Sequence, residues 1–212
     1  RGLGDVYKRQ LLEKGYPFVG YGRTAECSHY SWLDFDNDLG SRLAVEHLLA
    51  LGHTRIAYVH APLELNFAFQ RHRGFLTALA AAGLHCPPHY CIGGVNDRRS
   101  GLRAVASLLA LEPRPTAVLV DNNLGGVGLI RGLLDAGLRV GHDVSVVVHG
   151  DIPQDTLLTG LDVTTVTQPT PQTTGMALAE MVMQVLRAPE AGPYQMLRLP
   201  ALQLGSSTGP TA

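Results

Sequence analysis

The chain has 212 residues, of which 45% are hydrophobic and 17% are charged. Its 17 lysines and arginines balance 18 aspartates and glutamates, whereas a protein that binds nucleic acid through phosphate contacts needs a basic face. We therefore exclude DNA binding through these residues alone. No apolar run reaches the ~18 residues that a membrane-spanning helix needs, so we predict no membrane partner. The 3 cysteines, Cys27, Cys86 and Cys91, lack a metal-type spacing and indicate a reduced, cytoplasmic protein.

The two ends of the chain carry no clear structural pattern. Residues 1–10 have no apolar face, which suggests a non-native or disordered lead outside the fold. Residues 205–212 are small and polar, and this composition predicts a flexible tail. The fold is therefore expected to lie within residues 11–204.

Between these ends, short apolar runs alternate with stretches of helical periodicity. Runs of about four to six apolar, β-branched residues are typical of strands that are covered on both faces. The predicted strands, in chain order, are Phe18-Val19, Arg55–His60, Tyr90–Gly93, Ala117–Asp121 and Val144–His149.

The predicted helices show apolar stripes and recognisable ends. Asp36 or Asn37 can cap the first helix, and Gly52 ends it at the position that favours a left-handed residue. The later stripes begin, in chain order, at Phe75, Leu102, Val127 and about Thr173. Strands that alternate with helices predict a mostly parallel sheet with helices on both faces and a ligand site at the carboxyl ends of its strands.

No cofactor or metal motif is complete. Gly126 and Gly128 follow a strand as in a dinucleotide fingerprint, but Arg131 occupies the position of the third glycine. His47 and His53 do not have the spacing of two metal ligands on one helix face. We therefore predict neither a cofactor nor a metal site.

Three aspartates close apolar runs in different parts of the chain. The topology can bring Asp36, Asp121 and Asp151 together in a cleft. Carboxylates placed in this way suit general acid–base chemistry and equally suit hydrogen bonds to ligand hydroxyl groups. No nucleophile and base stand out as a pair, so we predict a binding protein without catalytic residues.

A longer series of motifs carries more information than any of these single features. In chain order the motifs are Asp36-Asn37-x-x-Gly40, Ala44–Leu48, Leu51–Ala57, Arg71-x-x-Gly74-Phe75-x-x-Ala78-Leu79, Ala82–Leu84, Pro115–Val118 with Asn122-Asn123, Gly137-Leu138 with Asp143–Val147, Thr164–Val166 with Gln168-Pro169, and Pro200 with Ser207-Thr208. In this order and spacing they closely resemble the effector-binding domain of the lactose/galactose-repressor (LacI/GalR) family of transcriptional regulators. The resemblance covers nearly everything from about Leu11 to Thr208.

This resemblance implies an α/β fold of the periplasmic-binding-protein-like type I, in which two doubly wound parallel-sheet lobes enclose a cleft. Residues 36–166 and 197–204 would form a nearly complete C-terminal lobe, and residues 11–35 and 167–196 an incomplete N-terminal lobe. The implied partners are a small-molecule effector, usually a sugar, a second copy of the chain in a homodimer, and operator DNA. Because the family binds operator DNA through a helix-turn-helix headpiece that these motifs do not include, we expect an N-terminally truncated regulator.

The resemblance also implies two principal effector contacts. Arg71 matches the family arginine that reaches into the cleft, and its planar fork of donors suits paired hydroxyls or a carboxylate. The alternative is a solvated arginine at a helix start. Asn122 stands where the family has a ligand-binding asparagine, whose amide both donates and accepts. It could instead only cap the helix that follows.

Four further positions are candidates for the same site. The family's ligand-binding acid aligns with Gly150, so Asp151 would replace it only through a local shift. Gln168 lies at a crossing between the lobes and would contact either the effector or the hinge. Asn96 and Phe67 match positions in the wall of the pocket.

A sugar-binding protein of a periplasmic transporter is the alternative class, because it shares the implied fold. It would have a secretion leader and no headpiece. The regulator-type run over residues 36–57 and the cysteines favour the regulator.

Overall fold

The computed structural model describes residues 3–24, 29–153 and 160–211, so Cys27 lies outside the described residues. The helices are α1 (Leu3–Glu13), α2 (Asn37–Ala50), α3 (Asn66–Ala81), α4 (Arg98–Leu109), α5 (Asn123–Asp135) and α6 (Pro171–Arg187). The strands are β1 (Val19–Tyr21), β2 (Ser31–Phe35), β3 (Ile56–Val59), β4 (Cys91–Ile92), β5 (Ala117–Val120), β6 (Ser145–His149), β7 (Thr164–Thr167), β8 (Gln195–Arg198) and β9 (Ala201–Gln203). None of these helices is long and apolar enough to cross a membrane.

The larger lobe is built on a sheet of order β4-β3-β5-β6-β7-β9, in which only β9 runs antiparallel to its neighbour. Helices α2 and α3 cover one face, and α4 and α5 cover the other. Successive residues of β3 therefore enter different cores: Ile56 and Tyr58 pack with α2 and α3, while Ala57 and Val59 pack with α4 and α5. This two-sided burial explains the continuous apolar strands and confirms the doubly wound architecture.

The smaller lobe is built on the parallel sheet β1-β2-β8. Its core joins Leu33 and Phe35 of β2 to Ala177 and Met181 of α6. Helix α1 also belongs to this lobe, because Lys8 Nζ donates a 2.9 Å hydrogen bond to the carbonyl oxygen of Gly22. Residues 1–10 were expected to be a non-native or disordered lead; from Leu3 onward they are not disordered, because they form the first part of α1.

One boundary between the lobes also differs from the prediction. Residues 197–204 were assigned to the larger lobe, but Leu197 pairs with Asp34 and Arg198 pairs with Phe35 in the smaller sheet. The chain enters the larger sheet only at β9, which pairs with β7. The crossing therefore lies after Arg198, because β8 needs these two residues to complete its register with β2.

The segment after β9 is docked on the larger lobe. Ser207 is fully buried; its Oγ donates to the carbonyl oxygen of Val146 at 2.7 Å and accepts from the amide of Thr164 at 2.8 Å. The amide of Thr211 donates to the carbonyl oxygen of Leu51 at 3.0 Å. The prediction of a flexible tail over 205–212 is wrong for residues 205–211, because small polar residues here satisfy backbone groups of β6 and β7.

Helix α2 begins and ends as its sequence predicts. The Asp36 carboxylate accepts a 2.9 Å hydrogen bond from the amide of Leu39, which satisfies one free donor of the first turn. Gly52 follows the helix with φ of 89°, a conformation that glycine adopts without a Cβ clash. The cap at Asp36 and the turn at Gly52 therefore define both ends of α2.

Candidate functional site

A cleft of about 400 Å³ lies between the two lobes, where several parallel strands end. The smaller lobe contributes the ends of β1 and β2, and the larger lobe contributes α2, α3, the start of α5 and the end of β6. Its lining residues are Tyr21, Gly22, Asp34, Phe35, Asn37, Phe67, Arg71, Asn122, Asn123, His149, Gly150 and Gln168. The cleft therefore lies at the carboxyl ends of strands, where open α/β sheets bind ligands.

Arg71 is the buried cation of this cleft and retains only 9% exposure. Its Nε donates to Asn37 Oδ1 at 2.9 Å, its Nη1 donates to the carbonyl oxygen of Asp121, and its Cζ lies 5.0 Å from the centre of the Phe67 ring. Burial lowers the pKa of the guanidinium, while the nearby Asp121 carboxylate raises it. No other protein partner holds the remaining donors within the described ranges, so they are available to a ligand.

Asn37 holds the guanidinium in place from the first turn of α2. Its Nδ2 donates to the carbonyl oxygen of Phe35 at 3.2 Å and to Gln70 Oε1 at 3.0 Å. These two bonds fix the orientation of the amide, so that Oδ1 faces Arg71. From the sequence, Asn37 is a possible helix cap and a member of the Asp36-Asn37 motif, and neither indicates its contact with Arg71.

Asp34 supplies the carboxylate of the opposite wall, on the smaller lobe. Its Oδ2 accepts a 2.8 Å hydrogen bond from Arg23 Nε, and its Oδ1 accepts a 2.8 Å bond from the amide of Phe35. The side chain is 8% exposed, and that of Arg23 is 32% exposed. The smaller lobe therefore presents the Asp34 carboxylate, partly neutralised by Arg23, and the larger lobe presents the Arg71 cation across the cleft.

The wall also contains aromatic faces. The rings of Tyr21 and Phe35 meet edge to face with centres 6.1 Å apart. Tyr21 is 60% exposed, and Phe67 from the other lobe is 36% exposed. Exposed aromatic faces beside polar groups suit a ligand that carries both C–H and hydroxyl surfaces.

The amide side chains of the cleft differ in how far the protein already uses them. Asn122 Oδ1 caps α5 by accepting from the amide of Gly125 at 2.7 Å, and its Nδ2 donates to Val95 O and Asp121 Oδ1, both at 2.8 Å. Asn122 therefore acts as the cap of α5 in this structure, as the second of its two expected roles requires. Gln168 is half-buried, and its side chain makes no hydrogen bond to the described part of the protein.

His149 closes the larger-lobe end of the cleft. Its Nε2 lies 2.9 Å from Ser41 Oγ, and its side chain is almost fully buried. Burial holds the pKa of His149 well below its ordinary value of 6.5, and Arg71 lowers it further. The imidazole is therefore neutral at neutral pH, and Arg71 remains the principal buried charge of this wall.

Residues 45–208 match the periplasmic binding protein-like domain. The chain belongs to this family. The HTH-type transcriptional regulator RafR of Escherichia coli is 34% identical over 198 residues, which cover 93% of this chain and 58% of that regulator. A regulatory protein of the LacI family from Chloroflexus aggregans superposes with a TM-score of 0.85 at 29% identity, covering 95% of this chain and 72% of that one.

A third relative was solved with a ligand. It is a LacI family transcriptional regulator from Enterococcus faecium with bound ribose, at a TM-score of 0.80 and 25% identity over 98% of this chain and 76% of that one. These similarities confirm the LacI/GalR-type effector-binding domain and the periplasmic-binding-protein-like fold that the motifs predict. The present chain spans little more than half the length of RafR, at 58%.

Two predicted site residues lie outside the cleft. Asp151 is exposed and borders an adjoining cleft of about 490 Å³, which shares Tyr21, Asn123, Gly150 and Gln168 with the first. Asn96 is exposed and lines neither cleft; its backbone amide donates to Ser100 Oγ at 3.2 Å.

The three aspartates do not converge on one point. Asp36 caps α2, as described, and Asp151 is exposed. The carboxylate of Asp121 is fully buried and accepts two 3.0 Å contacts from the amide of Ala61. Burial raises the pKa of Asp121, although its hydrogen bond from Asn122 lowers it. Asp36 and Asp121 therefore hold helix and loop backbone in place and do not line the cleft.

Proposed function

We propose that this chain is the effector-binding part of a transcriptional regulator and that its interlobe cleft takes a small polyhydroxylated effector, a sugar. The observation that carries the proposal is the lining of the cleft. Arg71 offers unused donors, Gln168 offers a free amide, and Tyr21 and Phe67 offer exposed aromatic faces. Hydroxyl groups need donors and acceptors together, and sugar C–H faces pack on aromatic rings.

Five of the six predicted contacts have a place in this proposal. Arg71 donates to effector hydroxyls, Phe67 and Gln168 line the same space, and Asn122 Oδ1 accepts from a hydroxyl beside its cap bond. Asp151 contacts only a ligand long enough to extend into the adjoining cleft, since the two clefts share a border. Asn96 receives no effector contact, because it lines neither cleft.

Contacts from both lobes give the effector a means of control. An effector that touches Asp34 on one lobe and Arg71 on the other binds the closed arrangement more tightly than the open one, and so shifts the population. In a homodimer of such chains, this shift would alter the affinity for operator DNA. We assign operator contact to a separate headpiece, because these residues carry no excess of positive charge.

We also propose that the protein acts in the cytoplasm, because operator DNA is found there. A transporter's sugar-binding protein is not favoured, since the relatives described above are transcriptional regulators. We further propose that the effector is bound and released unchanged, because the hydroxyl beside His149, that of Ser41, is fully buried and does not line the cleft. Recovery of unaltered sugar after prolonged incubation checks this point, and a new product would contradict it.

Titration calorimetry of the purified chain against a panel of mono- and oligosaccharides tests the proposal. We expect one sugar class to bind, and Arg71→Ala to weaken that binding at least about tenfold, because a charged hydrogen bond is lost. Arg131→Ala is the matched control, since Arg131 is exposed and pairs with Asp135 on the outer face of α5. Equal affinity in both variants would overturn the site, and circular dichroism verifies that each is folded.

A further inference from the structure

A pair of thiols lies away from the cleft, at the edge strand of the larger sheet. Cys86 is in the loop after α3, and Cys91 begins β4, where it pairs with Tyr58 of β3. Their Sγ atoms are 3.5 Å apart, and both residues are half-buried. The geometry thus places two reduced sulfurs in direct contact, from cysteines five positions apart in the chain.

A histidine from α3 accompanies this pair. His72 Nε2 lies 3.8 Å from Cys91 Sγ, and the ring stacks on Tyr58 at 5.4 Å and on His60 at 5.6 Å between centres. The hydrogen bond from the Cys86 thiol lowers the pKa of Cys91, and His72 lowers it further. The same hydrogen bond, with burial, raises the pKa of Cys86. Cys91 is therefore the thiolate of the pair, and Cys86 is the protonated thiol.

We propose that Cys86 and Cys91 form a modification site at which a peroxide, with hydrogen peroxide as the simplest case, closes an intramolecular disulfide. First, the Cys91 sulfur attacks one peroxide oxygen; the O–O bond breaks, hydroxide leaves, and Cys91 becomes a sulfenic acid. Then the Cys86 sulfur attacks the Cys91 sulfur, the S–O bond breaks, and the departing hydroxide takes the Cys86 proton as water. In total, two thiols lose two electrons and two protons, and one peroxide becomes two waters.

The contact distance favours this outcome over further oxidation of Cys91. A disulfide needs the sulfurs at about 2.05 Å, so rotation of the two side chains has to close the 3.5 Å contact by little more than one bond length. Once Cys91 is a sulfenic acid, its negative charge no longer raises the pKa of Cys86, and the second thiol becomes a better nucleophile. A metal is the less suitable occupant, since no group of three or more ligating side chains suited to an ion occurs in the described ranges.

The test uses the full chain with Cys27→Ser, which leaves Cys86 and Cys91 as its thiols. After hydrogen peroxide and then iodoacetamide, we expect an intact mass lower by two hydrogen atoms and no alkylation, with both thiols restored by dithiothreitol. In the additional Cys86→Ser variant, Cys91 should stop at a sulfenic acid that dimedone captures. Two alkylated thiols after peroxide, disulfide bonds only between chains, or a sulfinic acid on Cys91 of the paired form would each overturn the proposal.

The role of His72 is tested by the rate of the same reaction. His72→Gln should slow disulfide formation at pH 7 about tenfold, because a smaller fraction of Cys91 is thiolate. His142→Gln is the control, since His142 is exposed and contacts Arg139 and Asp143 far along the chain. Raising the pH should restore the rate of His72→Gln toward that of the parent, whereas a rate deficit independent of pH would contradict activation by His72. Neither outcome depends on the effector proposed for the cleft.

Discussion

Arg71 Nε donates a 2.9 Å hydrogen bond to Asn37 Oδ1, and this bond ties α3 to the first turn of α2 beside the cleft. The amide of Asn37 is itself held by Phe35 O and Gln70, so the guanidinium meets a partner of fixed orientation. A cation positioned before the ligand arrives loses little conformational entropy on binding. The relationship therefore makes Arg71 a donor with a defined direction, which a flexible surface arginine is not.

The first prediction concerns the geometry of that donor. In Arg71→Lys, the three donors of an ammonium sit on one nitrogen, so they do not match the spread positions of Asn37, the Asp121 carbonyl and an effector as the planar fork does. We expect effector affinity to fall about tenfold or more with the fold retained. Calorimetry measures the affinity, with Arg131→Lys as the control on the exposed face of α5. Unchanged affinity in Arg71→Lys would show that only the charge matters.

A second prediction contrasts two glycines in helices. Gly128 of α5 packs against the start of α4 so closely that a Cβ would overlap the carbonyl oxygen of Arg98. Gly128→Ala should therefore destabilise the fold by about 1–3 kcal/mol. Gly175 of α6 has no atom within 4 Å of the same position, so Gly175→Ala should stabilise by about 0.5–1 kcal/mol through helix propensity. Urea unfolding measures both, and equal shifts would contradict the close packing of α4 on α5.

A third prediction concerns a buried hydroxyl. Tyr58 is fully buried, and its Oη has no hydrogen-bond partner among the residues that the structure describes. An unsatisfied buried polar group costs about 1–3 kcal/mol, so Tyr58→Phe should leave stability unchanged or raise it. Tyr90→Phe is the matched control, because Tyr90 Oη donates to the carbonyl oxygen of Pro113 at 2.5 Å. This variant should lose about 1 kcal/mol of the free energy of unfolding. A larger loss for Tyr58→Phe would reveal a partner such as an ordered water.

The elements of the larger lobe could be predicted because their signals are local. Strands β3, β5 and β6 are apolar on both faces, and α2 carries its cap at Asp36. Strand β2 was expected only as a run that Asp36 closes, and its extent was not predicted, since Ser31 and Asp34 interrupt its apolar pattern. Their burial depends on distant residues; for example, the amide of Tyr194 donates to Ser31 Oγ across 163 residues. The local sequence pattern around Ser31 cannot indicate a partner that lies so far along the chain.

The residues of the candidate site also differ in whether the sequence could predict them. Arg71, Phe67 and Asn122 could be found because the motifs of the larger lobe resemble those of a known family, whereas Asp34 and Tyr21 could not. Both of the latter come from the smaller lobe, and Asp34 looks like a strand residue until its ion pair with Arg23 is seen. A buried charge in an apolar run is the signal that marks such a residue.

The last prediction concerns pH and follows from the buried imidazole of His149. Burial holds its folded-state pKa well below 6.5, and burial also lowers the pKa values of His47 and His53. The unfolded chain then binds protons near pH 6.5 that the folded chain does not bind, so protonation favours unfolding. Stability should be full above about pH 6.5 and decline below it, by at most about 1.4 kcal/mol per pH unit for each histidine.

Urea unfolding midpoints at a series of pH values between 8 and 5 measure this decline. His149→Gln should have a shallower pH dependence, because glutamine keeps a polar partner for Ser41 Oγ and takes up no proton. His142→Gln is the exposed control for the same substitution, because its ring lies at the surface beside Arg139 and Asp143. If His149→Gln and the parent declined in parallel, the acid sensitivity would have to come from His47 and His53. These two lie toward the amino-terminal edge of the sheet, near Thr208 and Gly209.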